Sequence, residues 1–217
     1  MTSASDAVDG LAIALLVVAL VSVAVRGLVA GVWLIVMQSV LLSLVAATIA
    51  LASGAAHMWA AATLTLAVRA VAVPAVLFLV LRTVALRRET RPLLSTRSAL
   101  IVAVALTLMA FSVAPRLELS AAFPAQRALP VSLALTFIGL LLMATRRKAI
   151  SQLIGLITIE NGIFLAGLIA TLGLPFFVEI GVFFDLLVAV GVTAVLTMRI
   201  NEHFDTVNTD ELRRLRG

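Results

Sequence analysis

Seven runs of apolar residues, each near the length needed to cross a bilayer, take up most of this chain. A membrane-spanning helix needs about 20 mostly apolar residues. The runs fall at about 10–25, 28–52, 58–81, 99–114, 129–145, 149–172 and 175–200. Residues 10–54 are apolar apart from Arg26, Gln38 and some hydroxyls, too long a stretch for one span, so a tight hairpin is expected at Arg26-Gly27. The first span is then short. It is not expected to be a secretory signal, because the residues before it carry Asp6 and Asp9 and no basic residue. Of 217 residues, 63% are hydrophobic and 12% charged, against about 25% charged in soluble domains. That excludes both a water-soluble globule and a disordered chain. There is no cysteine and there are two histidines, which excludes thiolate metal sites, iron–sulfur clusters and disulfides in this chain.

The charges test the count of spans. With seven spans the loops alternate between two sides, and thirteen of the sixteen basic residues fall on one of them. These include Arg26, the loop 82–98, the Arg146-Arg147-Lys148 cluster, Arg199 and the tail arginines. The other side receives Arg116 and Arg127, and Arg69 lies inside the third span. By the positive-inside bias the N-terminus is expected outside and the C-terminus in the cytoplasm. Topology then accounts for the net charge of +5, and nucleic acid is not an expected partner. The expected partners are the lipid bilayer, protons and other membrane subunits. The loop 82–98 is expected to hold a short interfacial helix, and 115–130, with three prolines, an irregular surface segment.

Ionisable groups within spans cost about 2.5–3.5 kcal/mol each on insertion scales and are functional candidates by default. This chain has Arg69, Glu160, Glu179 and Asp185, with Gln38 and Asn161 as amide anchors. Glu160 follows Arg147 by 13 residues, Asp185 precedes Arg199 by 14, Arg69 precedes Arg82 by 13 and Gln38 follows Arg26 by 12. At 1.5 Å per residue each lies about 18–21 Å from the basic face, so four spans are expected to share one polar layer. Arg69 is always charged and should face an anion, with Asp185 or Glu160 as the candidates. An acid beside it is held ionised, while one left alone in hydrocarbon can take up and release a proton. Glu179 is expected near the outer end of its span. His57 beside Trp59 reads as an interface anchor. Gly155, Gly162 and Gly167 are expected to let helices approach closely, and Pro74 to free a backbone carbonyl and kink the helix beside Arg69. No phosphate-binding loop, dinucleotide fingerprint, HExxH or triad is present, so the chain is not expected to catalyse covalent chemistry by itself.

From Arg146 onward the sequence resembles subunit K of NADH:quinone oxidoreductase (complex I) and its relatives in cation/proton antiporters. The basic cluster RRK is followed by QLIGLITIEN, a later span carries FFDLLVAVGVTAVL, and the chain ends NTDELRRLRG. The whole chain, with its extra N-terminal spans and the stretch LPFFVEIGVFFDLLVAV, resembles the hydrogenase-4 component E family, membrane subunits of energy-converting nickel–iron hydrogenase complexes.

The resemblance implies an all-α polytopic protein of the bacterial or archaeal inner membrane. It divides the chain into helices 1–5 over 1–145 and a subunit-K-like region over 146–217. It implies a non-redox subunit set between antiporter-like subunits and a quinone-module-like subunit, with nickel–iron and iron–sulfur centres in partners and no cofactor here. Glu160 and Asp185 would match that subunit's two intramembrane glutamates of a lateral proton pathway, with Arg69 and Gln38 tuning and orienting them. The match departs twice. The first acid sits three residues beyond the family's place, occupied here by Ile157, and the second is Asp rather than Glu. Arg26-Gly-Leu followed by Gln38 also parallels Arg147-Lys-Ala followed by Glu160, as a parallel repeat would. Two alternatives stand beside this reading: a subunit of a cation/proton antiporter or a self-contained transporter, and a purely structural membrane scaffold.

Overall fold

The computed structural model describes residues 2–54, 56–83, 93–117, 124–171 and 190–191. Its elements are all helical: α1 (Thr2–Ala24), α2 (Leu28–Ser53), α3 (Ala56–Leu64), a π-helical segment (Thr65–Ala72), α4 (Val73–Thr83), α5 (Thr96–Val113), α6 (Ala128–Thr145) and α7 (Ala149–Thr171). A short 3₁₀ turn, Ala114–Leu117, ends α5. Among the described residues six segments are long and apolar enough to cross a membrane, the third built from α3, the π segment and α4 in one run. They match the first six expected spans. The seventh, 175–200, lies outside the described residues apart from Val190 and Gly191.

One boundary differs from the sequence reading. α1 starts at Thr2 rather than near residue 10, so the first span is not short. Asp6 and Asp9 fall inside it, and Asp9 Oδ1 accepts the backbone N–H of Arg127 at 2.8 Å, which ties the start of α1 to the start of α6. Of the segment 115–130, expected to be irregular, residues 118–123 lie outside the described residues, while α6 takes Pro130 into its first turn, where a missing N–H costs nothing. Elsewhere the local signals act as expected. The chain turns between Ala24 and Leu28, at Arg26-Gly27. Ser95 caps α5 by accepting the N–H of Ser98 at 3.2 Å. Gly54 ends α2 with φ 67°, a conformation that a Cβ disfavours.

The basic loops meet at one end of the bundle. Arg26 Nε donates to Thr96 Oγ1 at 3.0 Å, and the N–H of Leu93 bonds the carbonyl of Thr145 at 3.0 Å. Arg146 Nη2 donates to the carbonyls of Val23 and Val25 at 2.9 Å, taking up acceptors that the C-terminus of α1 would otherwise leave unpaired. A cation suits that negative helix end. The hairpin at 25–27, the start of α5 and the α6–α7 turn thus share one face, as alternating spans require.

α6 and α7 form the tightest pair. A Cβ on Gly139 would meet the Gly155 carbonyl at 2.6 Å, one on Gly155 the Gly139 carbonyl at 2.8 Å, and one on Gly162 the Ser132 carbonyl at 2.6 Å. Glycine at these three places lets backbone lie on backbone, the small-residue packing of membrane helices. A Cβ on Gly31 would strike Ile154 Cδ1 at 2.6 Å, whereas Gly27 has only ordinary contact. Burial falls from 61% of the α7 span to 22% of the α5 span, so α7 is central and α5 peripheral. α5 shows Ile101, Leu108 and Phe111 outward, and α2 shows Trp33 and Leu51. Large apolar side chains facing out of a helix bundle are what lipid contact selects.

Candidate functional site

Two apolar clusters build the core, and on three helices a polar layer separates them. On α2 the cluster at the basic end reaches Ile35, and the other begins at Leu42. On α7 the gap runs from Ile157 to Phe164, and on the third span from Ala62 to Val73. Gln38 and Ser39, Thr158 and Asn161, and Thr65 and Arg69 occupy those gaps, and all six are buried.

Their amides and guanidinium are joined. Arg69 Nη1 donates to Asn161 Oδ1 at 3.0 Å, and Asn161 Nδ2 donates to Gln38 Oε1 at 3.0 Å. Arg69 is 1% exposed. Its Cζ also lies 5.1 Å from the centroid of the Phe164 ring, within cation–π range. One turn of α7 therefore presents both the amide and the ring that receive the cation. Glu160, beside Asn161 on α7, is partly buried.

The local fold around Arg69 has an evident cause in Pro74. Proline lacks the N–H that an α-helix would direct four residues back. Here the ladder ahead of it widens to π geometry over Thr65–Ala72, with the N–H of Val73 bonded to the Val68 carbonyl five residues back. The expected disturbance beside Arg69 takes the form of a π segment, which turns Thr65, Arg69 and Ala70 inward. Such segments recur at functional sites.

The structure thus joins Gln38, Arg69 and Asn161 and sets Glu160 next to them. Asp185 and Glu179 lie outside the described residues. The amide of Asn161 is one contact that orients the guanidinium, a partner not foreseen from the sequence. Sequence reasoning missed Ser39, Thr65 and Phe164. Hydroxyls and aromatic rings are too common in apolar helices to stand out, and the one available signal was their spacing from residues already suspected. Among the described residues no group of three His, Asp or Glu side chains could hold a metal ion.

A buried cation wired through two amides at one depth suits electrostatic control of a neighbouring acid better than it suits bond-making chemistry. The comparisons agree on the kind of protein. Residues 128–217 match the family model of NADH-ubiquinone/plastoquinone oxidoreductase chain 4L. This is the chain known as subunit K. The matched segment contains α6, α7, Glu160, Asn161 and Asp185.

The chain is also 38% identical over 133 residues to an uncharacterized protein of Mycobacterium tuberculosis, covering 61% of this chain and 60% of that one. It is 33% identical over 119 residues to hydrogenase-4 component E of Escherichia coli, 55% of each chain, and equally to that of Shigella flexneri. The chain spans little more than half the length of these curated relatives. No solved structure matches it. The similarity to chain 4L and to component E is that expected from the RRK, QLIGLITIEN and FFDLL motifs.

Proposed function

We propose that this protein is a non-redox membrane subunit of a complex I-like or energy-converting hydrogenase-like assembly, and that it contributes intramembrane carboxylates to a lateral proton path. Glu160 and Asp185 are the protonatable groups in this reading, Asn161 and Gln38 orient the layer, and Arg69 sets the field in which Glu160 binds its proton. Glu179 would stand at the outer end of that path. The N-terminus lies outside and the C-terminus in the cytoplasm of a bacterial or archaeal inner membrane. Antiporter-like and quinone-module-like subunits are the neighbours, and redox centres reside in partner chains.

The observation that carries the reading is the buried Arg69–Asn161–Gln38 chain, whose central Asn161 lies with Glu160 in the segment similar to chain 4L. A buried cation and acid in hydrocarbon are costly enough to mark function. The test has two steps. The tagged chain is withdrawn from its native membrane in mild detergent, and antiporter-like and hydrogenase- or dehydrogenase-like subunits are expected with it. Glu160→Gln and Asp185→Asn are then introduced, and loss of proton translocation with normal assembly is expected. Recovery of the chain alone, or full pumping by both variants in an intact complex, overturns the proposal.

A further inference from the structure

The bonded chain at the centre of the layer cannot itself carry a proton. A guanidinium stays protonated, and the amides of Asn161 and Gln38 offer fixed donors and acceptors that do not titrate. A hydroxyl or a water accepts and donates at once, so any proton crossing here needs such groups alongside.

Two hydroxyls stand out by their bonding. Many helical hydroxyls among the described residues donate to their own backbone three or four residues back, as Ser22, Thr48, Thr107, Thr136, Thr145 and Thr158 do. Ser39 Oγ and Thr65 Oγ1 do not. They are fully buried and, with Gln38 Nε2, have no hydrogen-bond partner among the described residues.

The register brings them together. Ser43 Oγ donates to the Ala62 carbonyl at 2.8 Å, which pins α2 to α3 across the Gly54 hairpin. Four residues along each strand of that hairpin from the bond lie Ser39 on α2 and Leu66 on the third span, with Thr65 adjacent. Gln38 is next to Ser39. Three buried polar atoms without partners among the described residues, on α2 and the π segment packed against it, match what an internal water requires, namely two to four polar partners. Leaving each unpaired would carry the desolvation cost of a buried donor or acceptor with nothing in return. The Ser43–Ala62 bond and buried Met58 and Ile49 close the interface above.

We infer that Gln38, Ser39 and Thr65 form an internal water-binding pocket between α2 and the π segment, and that this pocket relays protons past the Arg69–Asn161–Gln38 chain. The water site stands on geometry alone; its proton role rests on the function proposed above. It assigns a part in translocation to helices that precede the segment similar to chain 4L.

The full chain, labelled with ¹⁵N-glutamine in lipid bilayers, tests the water site by water-edited solid-state NMR. Exposed Gln126 and Gln152 serve as internal controls. Magnetisation transfer from water to the Gln38 side-chain amide is expected. Its absence while the two controls show transfer overturns the pocket.

The relay is tested in the assembled complex with Ser39→Ala/Thr65→Val beside Glu160→Gln. A fall of at least fivefold in protons moved per turnover, with electron transfer and assembly retained, is expected of the hydroxyl variant. Wild-type pumping by that variant while Glu160→Gln abolishes pumping overturns the relay and leaves the proposed function standing. Wild-type pumping by both variants overturns the proposed function and the relay with it.

Discussion

Asn161 serves two side chains at once, accepting from Arg69 and donating to Gln38. Asn161→Leu keeps the branching at Cγ and removes both bonds, leaving a buried guanidinium and a buried amide. A loss of about 1–3 kcal/mol is expected, since buried polar groups give up hydrogen bonds. A fall in the detergent melting temperature of the purified chain measures it. Asn161→Asp should lose less, because its carboxylate still accepts from Arg69 but no longer donates to Gln38. Equal loss for both would show that the Arg69 bond contributes little. The members of this site were legible in the sequence because a polar side chain inside an apolar run is conspicuous. Their pairing was not. Counting from the basic residues gives depth along each helix but no azimuth, so Arg69 was matched to carboxylates at its own depth, and the amide beside one of them was read as an anchor. The hydroxyls of Ser39 and Thr65 gave no signal until their neighbours were placed.

The α6–α7 pair and the break in the third span are where sequence and structure part company between helices. Gly155 and Gly162 were expected at a close approach, but Gly139, which faces Gly155 across the pair, was not, since apolar composition hides a partner on another helix. Gly139→Ala or Gly162→Ala should cost about 1–3 kcal/mol through forced separation of the two backbones. Gly10→Ala, with nothing within 4 Å, should be neutral or stabilising by up to about 1 kcal/mol. Chemical denaturation of the purified chain in mixed micelles compares the three, and a similar result for all would remove the backbone-contact account. The second to sixth spans were readable to within a few residues, because hydrocarbon thickness dictates their length. The early start of α1 was hidden by Asp6 and Asp9, which read as loop residues until Asp9 was seen to hold Arg127. Arg146 was read as a marker of topology. It also fastens the end of α1, so Arg146→Gln should loosen the α1–α2 hairpin, visible as faster amide exchange at 22–27 while α6 and α7 keep their protection.

For the molecule as a whole, the lack of native cysteine makes sidedness directly measurable. Cysteine introduced at Arg26 or Arg97 should react with an impermeant thiol reagent from the cytoplasmic face only, and cysteine at Ser53 or Gln126 from the opposite face only. Labelling of both sets from one side would overturn the alternating topology. The same architecture fixes how the layer responds to voltage. Apolar clusters seal it above and below on α2, the third span and α7, and the hydrogen bonds hold its members at one depth. Moving a unit charge fully across a membrane at 100 mV involves about 2.3 kcal/mol of electrical work. A charge displaced from one helix to the next within this layer follows a surface of nearly constant potential and does almost none. The membrane voltage therefore neither drives nor opposes such a step. In the proposed path its rate should be set by local chemistry alone, and the electrical work of translocation would fall on whatever groups connect the layer to the two aqueous faces.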